Sequence, residues 1–199
     1  MKRPVHRLVA GVSAVALLAT VSACSSSKKS NSAGSTKTTS SAPVTTIPTS
    51  SSSTDYTKLL ISASDIPVPG FTAGPVAAPP QGQGATASFV DTANKRNLGD
   101  SIIVFASAAL ASTAATGSIS AAKAQITSPQ VSTVPLGSGG TAVRGTSASG
   151  QAVAVVIWTE GRAVIVLEFD SAAGDVVPTD VIQQVATKQD ALVKAGLPS

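Results

Sequence analysis

The sequence predicts an α+β fold, an antiparallel sheet of about five to six strands with two helices packed on one face. Two adjacent β-branched segments, 152–159 and 162–170, are separated by two residues ending in Gly161, which is typical of a hairpin. Segment 179–195 repeats apolar residues at helical spacing, and an Ala-rich stretch after Ser107 favours a second helix. Strands with segregated helices define this class.

The first half of the predicted sheet comes from two shorter segments. Residues 85–91 and 101–107 are strand-like and flank a polar connection at 94–99, which indicates a hairpin. Their apolar side chains supply core candidates, namely Phe89, Ile103 and Phe105. The Ala-rich helix is expected to run from its cap at Ser107 to about Ile126, with a break at Gly117.

Two strands are predicted between the Ala-rich helix and the strong hairpin. They span 131–136 and 141–146, around a Gly-rich turn. In the hairpin itself one face carries Ala163, Ile165, Leu167 and Phe169, which we assign to the core. The opposite face is mixed and is either solvated or partly covered by another layer. Trp158 is interpreted as a core anchor, with a ligand platform as the alternative.

The last predicted element is a helix over 179–195. Asp180 and Gln183 have the spacing of a capping box, and Gly196 with Pro198 provides a stop signal. Its apolar stripe is expected to pack on the sheet.

The N-terminus has the pattern of an export signal. Three basic residues, Lys2, Arg3 and Arg7, precede an apolar run over 8–20. A membrane-spanning helix needs about 20 apolar residues, so this run is too short to cross a bilayer. We therefore predict a signal peptide over 1–23.

Val21-Ser22-Ala23-Cys24 resembles the lipobox of bacterial lipoproteins. The resemblance implies cleavage between Ala23 and Cys24, followed by lipid attachment to the Cys24 sulfur. More than one acyl chain would anchor the protein stably to a bilayer. The alternative is an ordinary secretory signal in which this single cysteine is an incidental thiol.

Segment 24–54 follows as a predicted disordered tether. It is nearly all Ser, Thr, Ala, Pro and Lys, and such a composition buries too little apolar surface to fold. The tether is either an O-glycosylated stalk or a bare spacer. Residues 55–199 then form a single globular domain of ordinary size.

The charge of the predicted domain argues against nucleic acid. The whole chain has a formal net charge of +4, but the residues from Asp55 onward include eight basic and ten acidic side chains. A nucleic-acid reader needs a basic patch on its folded part. We expect no nucleic-acid partner and a monomeric chain.

The residue inventory excludes several enzyme classes. His6 is the only histidine and Cys24 the only cysteine, so the predicted domain holds no Ser-His-Asp triad, Cys-His pair or histidine-based zinc site. Glu168 and Asp170 share a strand face and could form a glycosidase pair. We interpret them instead as solvated charges beside Arg162, and predict no catalytic, cofactor or metal site.

Taken together, the leader, Cys24, the tether and the Ala/Val/Gly-rich domain make the chain similar to small surface lipoproteins of mycobacteria and related actinobacteria. A weaker likeness is to LpqN-type lipoproteins. The resemblance implies export to the outer face of the plasma membrane, and no catalytic motif transfers with it.

Two functions are left open by the sequence, and neither is enzymatic. The first is a binding or scaffold module for an envelope protein or a cell-wall polymer. The second is a carrier that holds a lipid or glycolipid between the sheet and the Ala-rich helix, which needs a cavity of about 300 to 1,000 Å³. A closed core around Leu110, Ile119 and Ile126 would argue against the carrier.

Overall fold

The computed structural model describes residues 54–80 and 82–197. They form seven strands and two α-helices, preceded by two short 3-10 helices at Tyr56–Leu59 and Ala63–Asp65. The strands are β1 (Thr72–Ala73), β2 (Gln83–Asp91), β3 (Arg96–Val104), β4 (Ile126–Thr133), β5 (Ser138–Ser147), β6 (Ala152–Glu160) and β7 (Ala163–Ser171). The helices are α1 (Ala108–Gln125) and α2 (Thr179–Gly196). The α+β class is confirmed.

All seven strands join one antiparallel sheet in the order β1-β2-β3-β7-β6-β5-β4. The prediction of five to six strands was therefore too low. The two-residue strand β1, which pairs Thr72 with Val90, is not among the strands predicted from the sequence. Three antiparallel hairpins, β2–β3, β4–β5 and β6–β7, build most of the sheet.

The two helices lie on opposite faces of the sheet, so the prediction that both pack on one face was wrong. Helix α1 contributes Ala111 and Ala115 to one buried cluster, and α2 contributes Ile182 and Val185 to the other. The reason lies in β6, which is buried from Ala152 to Thr159 without interruption. A strand with apolar side chains on both faces needs a covering layer on each side.

The α2 face carries the larger core. It buries the side chains of every second residue in the central strands, together with the start of the described fold. The large members include Tyr56, Leu59, Phe89, Leu98, Ile102, Trp158, Ile165, Leu167 and Phe169. The prediction that Ala163, Ile165, Leu167 and Phe169 face the core is confirmed.

The α1 face carries a smaller core built from Val and Ala. Ala111 and Ala115 of the helix meet side chains of β4 to β7, among them Val143, Ile157 and Val164. Methyl side chains leave little height between helix and sheet, because interhelix and helix–sheet spacing depends on the side chains at the contact. The helix therefore covers these strands at close range.

Hairpin β2–β3 is shifted from its predicted position. Its turn lies at residues 92–95, and β3 begins at Arg96 rather than near residue 101. The polar run 96–101 alternates between faces, so Leu98 and Asp100 are buried while their neighbours are more exposed. Because residues 96–101 are mostly polar, their sequence showed no sign of this alternation.

Hairpin β6–β7 matches its prediction closely. Gly161 turns the chain with a φ of 54°, and Trp158 is fully buried with its indole N–H donating to Asp190 Oδ1 at 3.0 Å. Gly137, before β5, has a φ of 41°, and an added Cβ would lie 2.3 Å from the Thr159 carbonyl oxygen. Only glycine fits there.

Each of the two helices differs from expectation at one point. Helix α1 continues through Gly117, and its Ser107 cap is confirmed, with Ser107 Oγ accepting from the Leu110 amide at 3.3 Å. Helix α2 begins at Thr179 after Pro178, and no side chain caps it. The predicted capping box of Asp180 was wrong, since Asp180 lies inside the first turn.

The outer edge of β4 is interrupted by its own sequence. Ser128 has a φ of 50°, and the register with β5 shifts between Thr127 and Gln130, so Pro129 lies in a β-bulge. A bulge and a proline both discourage a further strand from pairing. The β4 edge is therefore a poor site for adding a further strand.

The predictions for the leader, Cys24 and most of the tether fall on residues 1–53, which lie outside the described residues. Within the part of the chain that the structure describes, no helix is both long and apolar enough to cross a membrane.

Candidate functional site

Helix α1 covers only part of its face of the sheet. It packs against β4, β5, β6 and β7. Beside it lies a surface formed by β2, β3 and the second half of β7, which we call the open half-face. Its residues are Thr86, Ser88, Val90, Asn97, Gly99, Ser101, Ile103, Glu168 and Asp170, all exposed or half-buried.

The strand register sets these side chains in two neighbouring rows. One row runs from Ser88 through Gly99 to Glu168. The next runs from Val90 through Asn97 to Asp170. Gly99 places no side chain between Ser88 and Glu168, so the first row has a gap beside the carboxyl group.

Both acids of the open half-face are partly withdrawn from water. Burial raises the pKa of Glu168, and the nearby Asp170 charge raises it further. Burial also raises the pKa of Asp170, although a hydrogen bond from the Asn97 side chain lowers it in part. The charged form of each carboxyl group is therefore less favourable here than in water.

Arg162, which the sequence placed beside Glu168 and Asp170, lies far from both acids. Arg162 precedes β7, six residues before Glu168, which corresponds to roughly 20 Å along an extended strand. Among the described residues the ion pairs involve Arg96, Lys188 and Lys194, and none involves Glu168 or Asp170. These carboxyl groups are thus half-buried without an ionic partner.

The arrangement differs from a glycosidase centre. Glu168 and Asp170 stand two residues apart on one face, or about 7 Å along the strand. That spacing falls within the range typical of inverting enzymes, so the distance alone does not separate this pair from a glycosidase centre. The aromatic rings of Trp158, Phe89 and Phe169 are buried on the opposite face, so they provide no sugar platform beside the acids.

The space between α1 and the sheet is filled around its centre. Ala111 is fully buried, Ile126 is 6% exposed, and Leu110 points outward with 53% exposure. Ile119 packs partly buried against the same cluster. The space between α1 and the sheet is therefore a closed core near Ala111, Ile119 and Ile126.

A small apolar cavity lies on the other face, between the start of α2, the start of β3 and the end of β7. Its volume is about 30 Å³, and its walls include Phe71, Leu98, Phe169 and Val181. Ligand pockets are typically about 300 Å³ or more. This cavity has room for about one water molecule.

A second concavity is an open groove at the end of α2 nearest the start of α1. It measures about 330 Å³, and its walls include Glu160, Arg162, Lys194 and Leu197. Lys194 is already engaged there, with its Nζ 2.6 Å from Asp190 Oδ2. The groove is shallow and carries both charge signs.

Metal-binding geometry is lacking in the described residues, where no three His, Cys, Asp or Glu side chains are grouped to hold an ion.

The open half-face could be predicted only in part from the sequence. Glu168 and Asp170 were singled out, whereas Asn97 was assigned to a loop and Ser88 was not considered. Correct register of β2–β3 would have revealed both.

No family model, curated protein or solved structure matches the chain. Its function is therefore inferred from the geometry of its own residues.

Proposed function

We propose that this chain is a lipid-anchored, non-catalytic binding module of the cell envelope, and that its open half-face binds a positively charged ligand. The anchor is Cys24, exposed by cleavage after Ala23, and the location is the outer face of the plasma membrane. The ligand class is a basic segment of an envelope protein or an amine-bearing cell-wall polymer.

One observation carries the ligand class: two half-buried carboxyl groups lie side by side without an ionic partner. A cation placed between Glu168 and Asp170 would offset their mutual repulsion and their partial loss of hydration. The gap at Gly99 gives access to Glu168, and Ser88 with Asn97 adds hydrogen-bonding groups at the margin.

The carrier is the weaker alternative. Its support was the expectation that small side chains of an Ala-rich helix leave room for a lipid, yet Ala111 and Ala115 are buried against Val and Ile side chains. The apolar cavity of about 30 Å³ is far smaller than a lipid chain requires. A binding surface needs no such cavity.

The anchor is tested by lipid labelling in an actinobacterial host. Cells fed an alkyne fatty acid should label the wild-type chain, whereas Cys24→Ser should remove the label and release the protein from the membrane fraction. Equal labelling of Cys24→Ser would contradict the anchoring proposal.

The ligand class is tested by calorimetric titration of the full chain, in uncharged detergent, with a short oligolysine peptide. Replacing both acids by Glu168→Gln and Asp170→Asn should weaken binding about tenfold. The control removes two acids elsewhere, by Glu160→Gln and Asp180→Asn, and keeps the same net charge. Binding should also weaken at acid pH, because protonation of carboxyl groups with raised pKa values removes the attraction.

Equal affinity of the two double variants would show that the open half-face is not the binding surface. The anchoring result is independent of this outcome, so the two parts of the proposal can fail separately.

A further inference from the structure

The first segment of the described fold, Asp55–Ile61, is held to the sheet by a buried polar junction. Gln189 of α2 uses both ends of its amide: Nε2 donates to the Leu59 carbonyl at 2.8 Å, and Oε1 accepts from the Ile61 amide at 3.0 Å. The same Ile61 N–H also donates to Asp100 Oδ2 at 3.1 Å. One backbone donor therefore serves two acceptors.

Asp100 is short of hydrogen bonds for a buried acid. It is 1% exposed, and its Oδ1 has no partner. An ionised carboxylate can accept about four hydrogen bonds, so a single shared N–H leaves its charge poorly compensated. A buried, unsatisfied group of this kind is costly to keep charged.

The surroundings of Asp100 provide no counter-charge. Strand β2 places Ala87 opposite it, and β7 places Leu167 opposite it on the other side. Helix α2 contributes the neutral amide of Gln189, and Tyr56 of the first segment directs its hydroxyl at a glutamine of β2. Among the described residues no Lys or Arg forms an ion pair with Asp100.

The first segment is also the cover that can most readily open. It is a single 3-10 turn at the start of the described fold, tied by the Gln189 and Asp100 bonds and by apolar contacts of Leu59, Leu60 and Ile61. Opening this segment would give water access to Asp100. Strands β2 and β7, in contrast, are fixed by ladders on both sides.

We propose that Asp100, Gln189 and Ile61 form a proton-controlled latch, in which a protonated Asp100 keeps segment 55–61 closed on the sheet and an ionised Asp100 favours its release. The proposal concerns the place where the predicted tether joins the domain, and it does not depend on the ligand of the open half-face.

The direction follows from proton linkage. Burial raises the pKa of Asp100 from 3.8 to about 7 in the closed state. Once opened to water, the carboxyl group returns toward its ordinary value, so the open state holds fewer protons between these limits. Closure is therefore fully favoured at acid pH, and that advantage is lost as the pH rises toward the closed-state pKa. Between about pH 5 and pH 8 the opening constant should rise roughly 100-fold.

The test is hydrogen–deuterium exchange of the full chain in uncharged detergent, read on peptides that cover 55–61 and corrected for the intrinsic pH dependence of exchange. Wild-type protection should fall by about 100-fold from about pH 5 to pH 8. Asp100→Asn, which is neutral and similar in shape, should keep protection high at both pH values. Asp180→Asn, an exposed acid on α2, is the control and should behave as wild type.

Two results would overturn the latch. One is wild-type protection that does not change with pH, and the other is a pH dependence that persists in Asp100→Asn. Should that variant fail to fold, the Asp100 carboxyl carbon can be titrated by NMR in the unaltered chain, where a midpoint near the ordinary Asp value would equally reject the proposal.

Discussion

The two faces of the sheet are covered by different kinds of side chain. On the α2 face, aromatic and long aliphatic groups such as Trp158, Phe89 and Leu167 fill a deep layer. On the α1 face, two alanines of the helix pack against sheet side chains that are mostly valine. Larger side chains bury more apolar area per residue, so we expect the α2 face to contribute more to stability.

The same contrast separates structural roles from surface roles. The α2 face is closed along the central strands, and its polar groups, Asp100 and Gln189, are used internally. The α1 face leaves β2 and β3 beside the helix, with Glu168 and Asp170 half-buried at the accessible surface. The α1 face, which has the smaller core, therefore leaves part of the sheet accessible. The α2 face, which has the larger core, is closed along the central strands.

The largest expected effect is loss of the main aromatic on the α2 face. Trp158→Ala removes a fully buried ring and the donor to Asp190, and should lower the free energy of unfolding by about 3 to 5 kcal/mol. Val143→Ala is the counterpart on the α1 face and should cost about 1 to 2 kcal/mol. Urea denaturation measures both. Equal costs would show that the two faces stabilise the fold to the same extent.

A smaller effect is expected from widening the α1 contact. Ala115→Leu adds bulk where the helix packs against the valines of the sheet. Overpacking there should lower the free energy of unfolding by about 1 to 3 kcal/mol. Ala109→Leu makes the same change at an exposed position of that helix and should be nearly neutral. Thermal unfolding of both variants separates them, and a neutral Ala115→Leu would mean that the helix is loosely seated.

The smallest effect is expected on the open half-face. Gly99→Ala places a Cβ 3.9 Å from Glu168 Cβ, which is an ordinary contact, so stability should change by less than about 0.5 kcal/mol. Gly137→Ala, against Trp158 on the α2 side, meets backbone at 2.3 Å and should be strongly destabilising. Comparing the unfolding midpoints of these two variants sharpens the contrast between an open and a closed surface.

The β6–β7 hairpin could be predicted from sequence because its signal is local. Its strands are β-branched, its turn has a glycine, and side-chain alternation in β7 is regular. The helix layers were harder to place. The continuous apolar run of β6 indicates cover on both faces, and giving that run more weight would have placed α1 and α2 on opposite sides.

The buried acid could not be recognised in the same way. Asp100 stands in a polar stretch of β3, where composition favours a loop and where charged residues are usually exposed. Its burial depends on Ile61 and Gln189, which are distant in sequence. Non-local contacts of this kind leave no pattern within a short window.

Only the β7 part of the open half-face could be predicted from the sequence, because the rest depends on contacts between distant residues. Alternation in β7 correctly placed Glu168 and Asp170 on the face opposite the core. The contribution of β2 and β3 required the register of a hairpin whose turn was misplaced, and register is set by pairing over the whole strand.

The junction at Gln189 also has a mechanical meaning. Leu59 lies against Gly196, where an added Cβ would approach its Cδ2 to 2.4 Å, so the first turn of the fold rests on the last turn of α2. A pulling force applied ahead of Asp55 would load the Leu59 and Ile61 hydrogen bonds one after another instead of shearing the sheet. Under such a force we expect the first turn to yield before the strands of the sheet.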